Sequence, residues 1–198
     1  SKGSTMIHPN MATMTSVIVT NTNISKSMLQ KAFKASVDKS YNMISVDGDT
    51  STNDMAMVLA NGEAGNRLIE SEGEDYEAFR KALDFVNIEL AKMIAKGGEG
   101  STKLLEVEVN QARTTEDARK CAKAIASSTL VKCAMFGSHP GFPDIACALG
   151  YSGADFDPDK FDVFIQSESG KLQLVRNAMR ADFDEASAEA ILSDELVK

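Results

Sequence analysis

Two hydrophobic periods divide the chain into alternating strands and helices. The β-branched run "TSVIVT" (15–20) predicts a strand. Ser25 is placed to cap a helix over Lys26–Lys39, with Leu29, Ala32, Phe33 and Val37 on one face. "MAMVLANG" (55–62) predicts a second strand closed by Asn61-Gly62. Tyr76, Phe79, Leu83, Val86, Leu90 and Met93 recur at alternating steps of three and four and predict a long helix, stopped by Gly97-Gly98. "KLLEVEVN" (103–110) alternates as a strand. Thr114 and Asp117 open a helix that runs through Ala126 in the manner of a capping box. The runs "LVKCAMFG" (130–137) and "FDVFIQ" (161–166) are read as strands, and "DFDEASAEAILSDEL" (182–196) as a last helix. The alternation predicts an α/β or α+β class. The glycine-rich "KGGEGS" is the expected boundary between domains 1–100 and 101–198.

With 198 residues, 43% of them hydrophobic, the chain is large enough to bury a true core. Its net charge of −8 argues against nucleic acid or an anionic membrane surface as partner. No run is long and apolar enough to span a bilayer, and the expectation is a soluble, cytoplasmic protein. The three cysteines, Cys121, Cys133 and Cys147, form no C-x-x-C pair and are read as reduced core residues, with no zinc site. A chain that starts at Ser1 and ends in "ILSDELVK" reads as a piece of a longer or processed product.

Several stretches invite chemistry. "DGDTSTND" carries Asp47, Asp49 and Asp54, but an EF-hand loop needs glycine at its sixth position and a carboxylate at its twelfth, where this chain has Thr52 and Val58. A loop whose side chains satisfy backbone amides is the better reading, with support of a neighbouring site left open as a second role. "GGEGSTK" lacks the spacing of a phosphate-binding P-loop; it presents Glu99 at a glycine-rich tip. His8 and His139 each precede a proline and read as loop residues. In "HPNMATMTSVIVTN", small Ala12 precedes Thr13. Were that peptide bond cut, Thr13 would carry a free α-amine beside its own hydroxyl, the arrangement of an N-terminal nucleophile.

"SKGSTMIHPNMATM", "NMISVDGDTSTNDMAMVLANG", "KGGEGSTKLLEVEV" and "TTEDARKCAKAIASSTLVKCAMFG", in that order, resemble the ornithine acetyltransferase family, the bifunctional glutamate N-acetyltransferases of arginine biosynthesis. The resemblance spans nearly the whole chain. It implies an αββα-type layered sandwich followed by a smaller C-terminal α/β domain. It also implies self-cleavage at Ala12–Thr13, with Thr13 as nucleophile, and Lys2, Thr13 and Glu99 lining the substrate site. The implied reaction moves an acetyl group from N-acetylornithine to glutamate through an acetyl-Thr13 ester. No cofactor or metal is implied, although acetyl-CoA is an alternative donor. The implied partner is the α chain of the same precursor, in a heterodimer that assembles further. The family's oxyanion-hole residues and C-terminal substrate contacts are expected outside Ser1–Lys198. Family members carry a D-P-N-W-G-R-like segment where this chain reads "FGSHPGFPDIACALG" (136–150), and this chain has no tryptophan. Two alternatives therefore stand beside the acetyltransferase: an N-terminal-nucleophile aminopeptidase or amidase of related architecture, and a homologue that has lost catalysis.

Overall fold

The computed structural model describes residue 1, residues 3–9 and residues 14–198. The chain is of the mixed α/β class and divides into two compact units, Ser1–Glu99 and Gly100–Lys198.

The first unit is organised by two parallel strands, β1 (Thr15–Thr20) and β2 (Met55–Ala60), in register from Thr15↔Met55 to Thr20↔Ala60. Parallel neighbours require a crossover, and α1 (Lys26–Lys39) lies in it. Ser25 caps α1 by accepting the Met28 N–H. A 3₁₀ turn follows at Tyr41–Met43. Beyond β2, α2 (Glu74–Lys96) packs its buried side against these elements. Side chains alternate along a strand, and one face of the pair packs into the core: Met14, Ser16, Ile18 and Ala56 meet Ile7, Val37, Tyr41, Ala91, Ile94, Met28, Ala32 and Leu83 in two adjoining clusters. The opposite face leaves Val17, Val19, Met55 and Leu59 exposed.

The buried stripe of α2 differs from the predicted one in its second half. Tyr76, Leu83, Asn87, Ala91 and Ile94 face inward, whereas Val86 and Met93 are exposed. An alternating three-four pattern repeats every 3.5 residues and drifts around a straight helix of 3.6 residues per turn. By the fourth turn of α2 the drift moves Asn87 inward. Its amide is then engaged at both its oxygen and its nitrogen. Tyr41 Oη donates to Asn87 Oδ1 at 2.9 Å, and Asn87 Nδ2 donates to Ser36 Oγ at 2.9 Å. Because the single Tyr41 hydroxyl proton goes to Asn87, Ser16 Oγ, 2.7 Å from Tyr41 Oη, is the donor in that contact. The chain Ser16–Tyr41–Asn87–Ser36 ties β1, the 3₁₀ turn, α2 and α1 together in the core. Burial raises the Tyr41 pKa, so the phenol stays protonated and the network keeps its direction.

The second unit has a single core cluster built from α3 (Thr115–Ser127), α4 (Thr129–Phe136), α5 (Phe142–Gly150), α6 (Glu185–Leu192) and strands. β4 (Val163–Ser167), β5 (Gly170–Arg176) and β6 (Met179–Arg180) form an antiparallel sheet. The short β3 (Leu104–Leu105) pairs in parallel with β7 (Leu196–Val197). β7 is stitched to β4 by reciprocal Gln166–Lys198 backbone bonds of 2.7 and 2.8 Å. Thr114 caps α3 as expected, accepting the Asp117 N–H at 3.0 Å.

Three expectations change here. Residues 130–137 are helix, not strand: Ser128 caps α4 by accepting the Val131 N–H, and Val131 and Met135 are buried four apart, which an eight-residue apolar run does not distinguish from a strand. Of the expected strand over 103–110, only Leu104–Leu105 is paired, because β7 is just two residues long. The last helix is shorter than predicted, since Asp184 caps it and the chain turns back to make β7. The cysteines are all free, but only Cys121 is buried. Cys133 and Cys147 lie between the inward positions of α4 and α5 and face outward.

Replacing Tyr41 by Phe removes one hydroxyl and strands two buried partners. The Tyr41→Phe substitution is expected to destabilise the protein by about 1–3 kcal/mol, read as a lowered denaturant midpoint at unchanged slope. Adding Ser16→Ala to it should cost less than Ser16→Ala alone, because the two share one network.

Candidate active site

The segment Ser4–Pro9 is laced onto the loop that follows the 3₁₀ turn. Val46 N–H donates to the Ile7 carbonyl at 2.6 Å, and Ile7 N–H donates to Asp47 Oδ1 at 2.9 Å. Thr50 Oγ1 donates to the His8 carbonyl at 2.8 Å, and His8 Nδ1 lies 2.9 Å from Ser45 Oγ. Asp47 Oδ1 also accepts the Asp49 N–H at 3.0 Å. The hydroxyl- and carboxylate-rich sequence is thus a cradle for the chain that leads toward residues 10–13. Asp47 spends its oxygen on amides.

The turn after α2 reaches the same segment. Glu99 N–H donates to the Ser4 carbonyl at 2.9 Å, and the Glu99 side chain is exposed. Two glycines allow this. A Cβ on Gly98 would lie 2.7 Å from Val46 Cγ1, so the turn packs against the cradle only without a side chain there. Gly100 has φ +74°, in the left-handed region. Of the sequence-derived positions, Glu99 is thus bonded through its backbone to Ser4. Lys2, Ala12 and Thr13 themselves lie outside the described residues.

The sequence reading passed over the most unusual group here. Asp54 directly precedes β2 and shares the inward-facing alternation of Ala56. Both its carboxyl oxygens are shielded from solvent, and neither accepts a hydrogen bond from a side chain among the described residues. Burial pushes its pKa up to about 6, with the Met14 backbone amide offsetting this in part. Across the strand pair, Met55 N–H donates to the Met14 carbonyl at 2.7 Å. Asp54 therefore stands beside Met14, the residue that follows Thr13. One signal was available: a carboxylate one step before a strand and in phase with its buried positions.

The other candidates are structural. His139 Nδ1 accepts the Gly141 N–H at 3.2 Å in the turn before α5. Among the described residues no group of three or more His, Cys, Asp or Glu side chains is placed to hold a metal ion, and no helix is long and apolar enough to cross a membrane.

The fold and this site define an α/β protein whose chemistry-bearing groups gather where the chain enters its first strand. The chain belongs to the ArgJ family, which matches residues 1–198. It is 55% identical over 196 residues to the "Arginine biosynthesis bifunctional protein ArgJ 1" of Clostridium acetobutylicum, covering 99% of this chain and 48% of that protein. It is 51% identical to the ArgJ protein of Thermotoga neapolitana, covering 100% of this chain and 50% of the relative. The crystal structure of the arginine biosynthesis bifunctional protein ArgJ from Bacillus halodurans superposes with a TM-score of 0.86 at 39% identity, over 93% of this chain and 86% of that one. The chain spans about half the length of the curated relatives it matches.

Gly98→Ala is expected to push Val46 away and destabilise the cradle by about 1–3 kcal/mol. Val46→Ala in the same molecule should recover part of that loss. Equal destabilisation in the single and double variants would mean that the close approach is unimportant.

Proposed function

We propose that this chain forms part of a cytoplasmic, self-processing acetyltransferase of arginine biosynthesis with an N-terminal threonine nucleophile. The observation that carries the reading is the family match over all 198 residues, within which "NMAT" falls at 10–13. Cleavage at Ala12–Thr13 frees an α-amine whose pKa is about 7.7–8.0 in unperturbed peptides. That amine takes the proton of Thr13 Oγ, and the oxygen attacks the acetyl carbonyl of N-acetylornithine. The amide C–N bond breaks, ornithine leaves with the proton, and an acetyl-Thr13 ester remains. The α-amine of glutamate then attacks the ester, restoring Thr13 and releasing N-acetylglutamate. Acetyl-CoA is an alternative donor to the same ester, and the cycle needs no cofactor.

Glu99 and Lys2 are assigned to substrate binding. The carboxylate of Glu99 is a charge-matched partner for an ornithine ammonium, and its backbone bond to Ser4 supports placing it with Lys2. The exposed apolar face of β1 and β2, with Val17, Val19, Met55 and Leu59, supports a second layer supplied by a partner chain of the same precursor, since contiguous apolar surface of this kind marks an interface. The mature protein is then a heterodimer that assembles further.

Intact mass measurement of the product of the full-length gene should give two masses that sum to the precursor plus water, one piece beginning at Thr13. Thr13→Ala should abolish both cleavage and transfer. Initial rates with both substrates varied should give the parallel double-reciprocal lines of a ping-pong mechanism. Glu99→Gln should raise the KM for N-acetylornithine about tenfold or more with little change in kcat, the signature of lost ground-state binding. Release of free acetate in place of N-acetylglutamate would identify a hydrolase, and an uncut chain would identify a homologue without catalysis.

A further inference from the structure

Helix α2 has a second face that neither core cluster of the first unit uses. Successive helical residues turn by about 100°. Ala78, Ala82, Phe85, Glu89 and Met93 therefore fall on the side opposite Tyr76, Leu83, Asn87 and Ile94, the buried stripe. Phe85 is 68% exposed, Met93 66% and Val86 39%. Large apolar side chains gathered on one outer face differ from the singly scattered ones that every surface carries.

We propose that this face of α2 docks antiparallel on the same face of a second copy of the protein, about a two-fold axis through Phe85. The charge pattern carries the choice of occupant. Phe85 is the midpoint of α2, which runs from Glu74 to Lys96. A two-fold axis there sets each residue opposite the one equally far on the other side of Phe85. Lys81 then faces Glu89 of the second copy, and Glu89 faces its Lys81. All four side chains are exposed. At the rim, Glu74 faces Lys96. Nowhere along α2 do two residues equally far from Phe85 carry like charges. A partner of unrelated sequence needs no such antisymmetry, whereas a self-complementary contact needs it along its whole length.

The apolar residues obey the same axis. Phe85 meets its own symmetry mate at the centre, and the small Ala78 and Ala82 beside it leave room for the ring. Met93 reaches the first turns of the facing helix. The arrangement also opposes the two helix dipoles, with the acidic first turn of each helix near the basic last turn of the other. The pairing uses the full helix, about 35 Å long. It goes beyond the proposed function by naming the face through which copies meet. It requires neither cleavage at Ala12–Thr13 nor acetyl transfer.

The test uses the product of the full-length gene, with native mass and sedimentation giving the number of copies across a range of protein concentration. The unmodified protein should associate. Phe85→Asp should raise the dissociation constant between copies about 100-fold or more, because it removes the central aromatic anchor and sets two carboxylates on the axis. Lys81→Glu and Glu89→Lys should each raise it about tenfold. Combined in one chain, they should bring it back to within about threefold of the unmodified value, since the exchange restores both opposite-charge pairs. A purely structural role of these exposed side chains predicts no such rescue. The charge exchange decides by itself should Phe85→Asp fail to fold.

A protein that stays single at every concentration overturns the proposal. So does a dissociation constant that moves less than about threefold in both Phe85→Asp and Lys81→Glu, which places the association on another surface. Loss of one piece from within a copy, with whole copies not separating, makes the remainder of the precursor the occupant and also overturns it. A double exchange that fails to restore association overturns the two-fold axis. Thr13→Ala precursor should associate with the same constant as the unmodified protein. An unmodified protein that associates through α2 but is never cut removes the Thr13 reading and leaves this one standing.

Discussion

The parallel pairing of β1 with β2 is the constraint on which the first unit depends. Its register sets Met14 opposite the residue before Met55, so that what precedes each strand meets at one end of the pair. Because side chains alternate, the same register assigns Ser16, Ile18 and Ala56 to the core and Val17, Val19, Met55 and Leu59 to the outside. A slip by one residue would exchange the two sets, bury Thr15 and expose Ser16. The Ser16–Tyr41–Asn87–Ser36 network resists that slip. Its members are buried, every hydrogen bond in it is directional, and shifting Ser16 would take the donor away from the buried Tyr41 hydroxyl.

Around this pair the cradle and the turn after α2 act as positioning elements. Neither has a regular backbone pattern, so each fixes its geometry through side chains and glycines. Asp47 holds Ile7, Thr50 holds His8, and Gly98 admits Val46. The apparently metal-like carboxylate spacing of "DGDTSTND" is resolved into two different tasks. Asp47 Oδ1 accepts two backbone amides, whereas Asp54 is drawn out of solvent beside the Met14 backbone amide. A single loop thereby carries one carboxylate that holds the backbone and one that is shielded from solvent.

The ordered elements were largely legible. Ser25 and Thr114 announced their helices through capping chemistry, and Asn61-Gly62 and Gly97-Gly98 marked the ends of β2 and α2. Where the reading missed, a specific competition was lost. Residues 130–137 satisfy both strand and helix patterns, and only the Ser128 cap with its tertiary packing chose helix. Val107 and Val109 alternate like a strand but have no partner strand long enough to pair with them. The α2 stripe was read with a period of 3.5 when the helix keeps 3.6.

The sequence by itself determined the class of fold, most helix ends and the family, because these depend on local chemistry or on contiguous motifs. Only the tertiary structure decided that Glu99 is bonded to Ser4, that Asn87 belongs to the core, and that both carboxyl oxygens of Asp54 are shielded from solvent. Each of these joins residues tens of positions apart. The energy of a carboxyl group depends on how much water the rest of the fold removes from it, which no local stretch of sequence encodes.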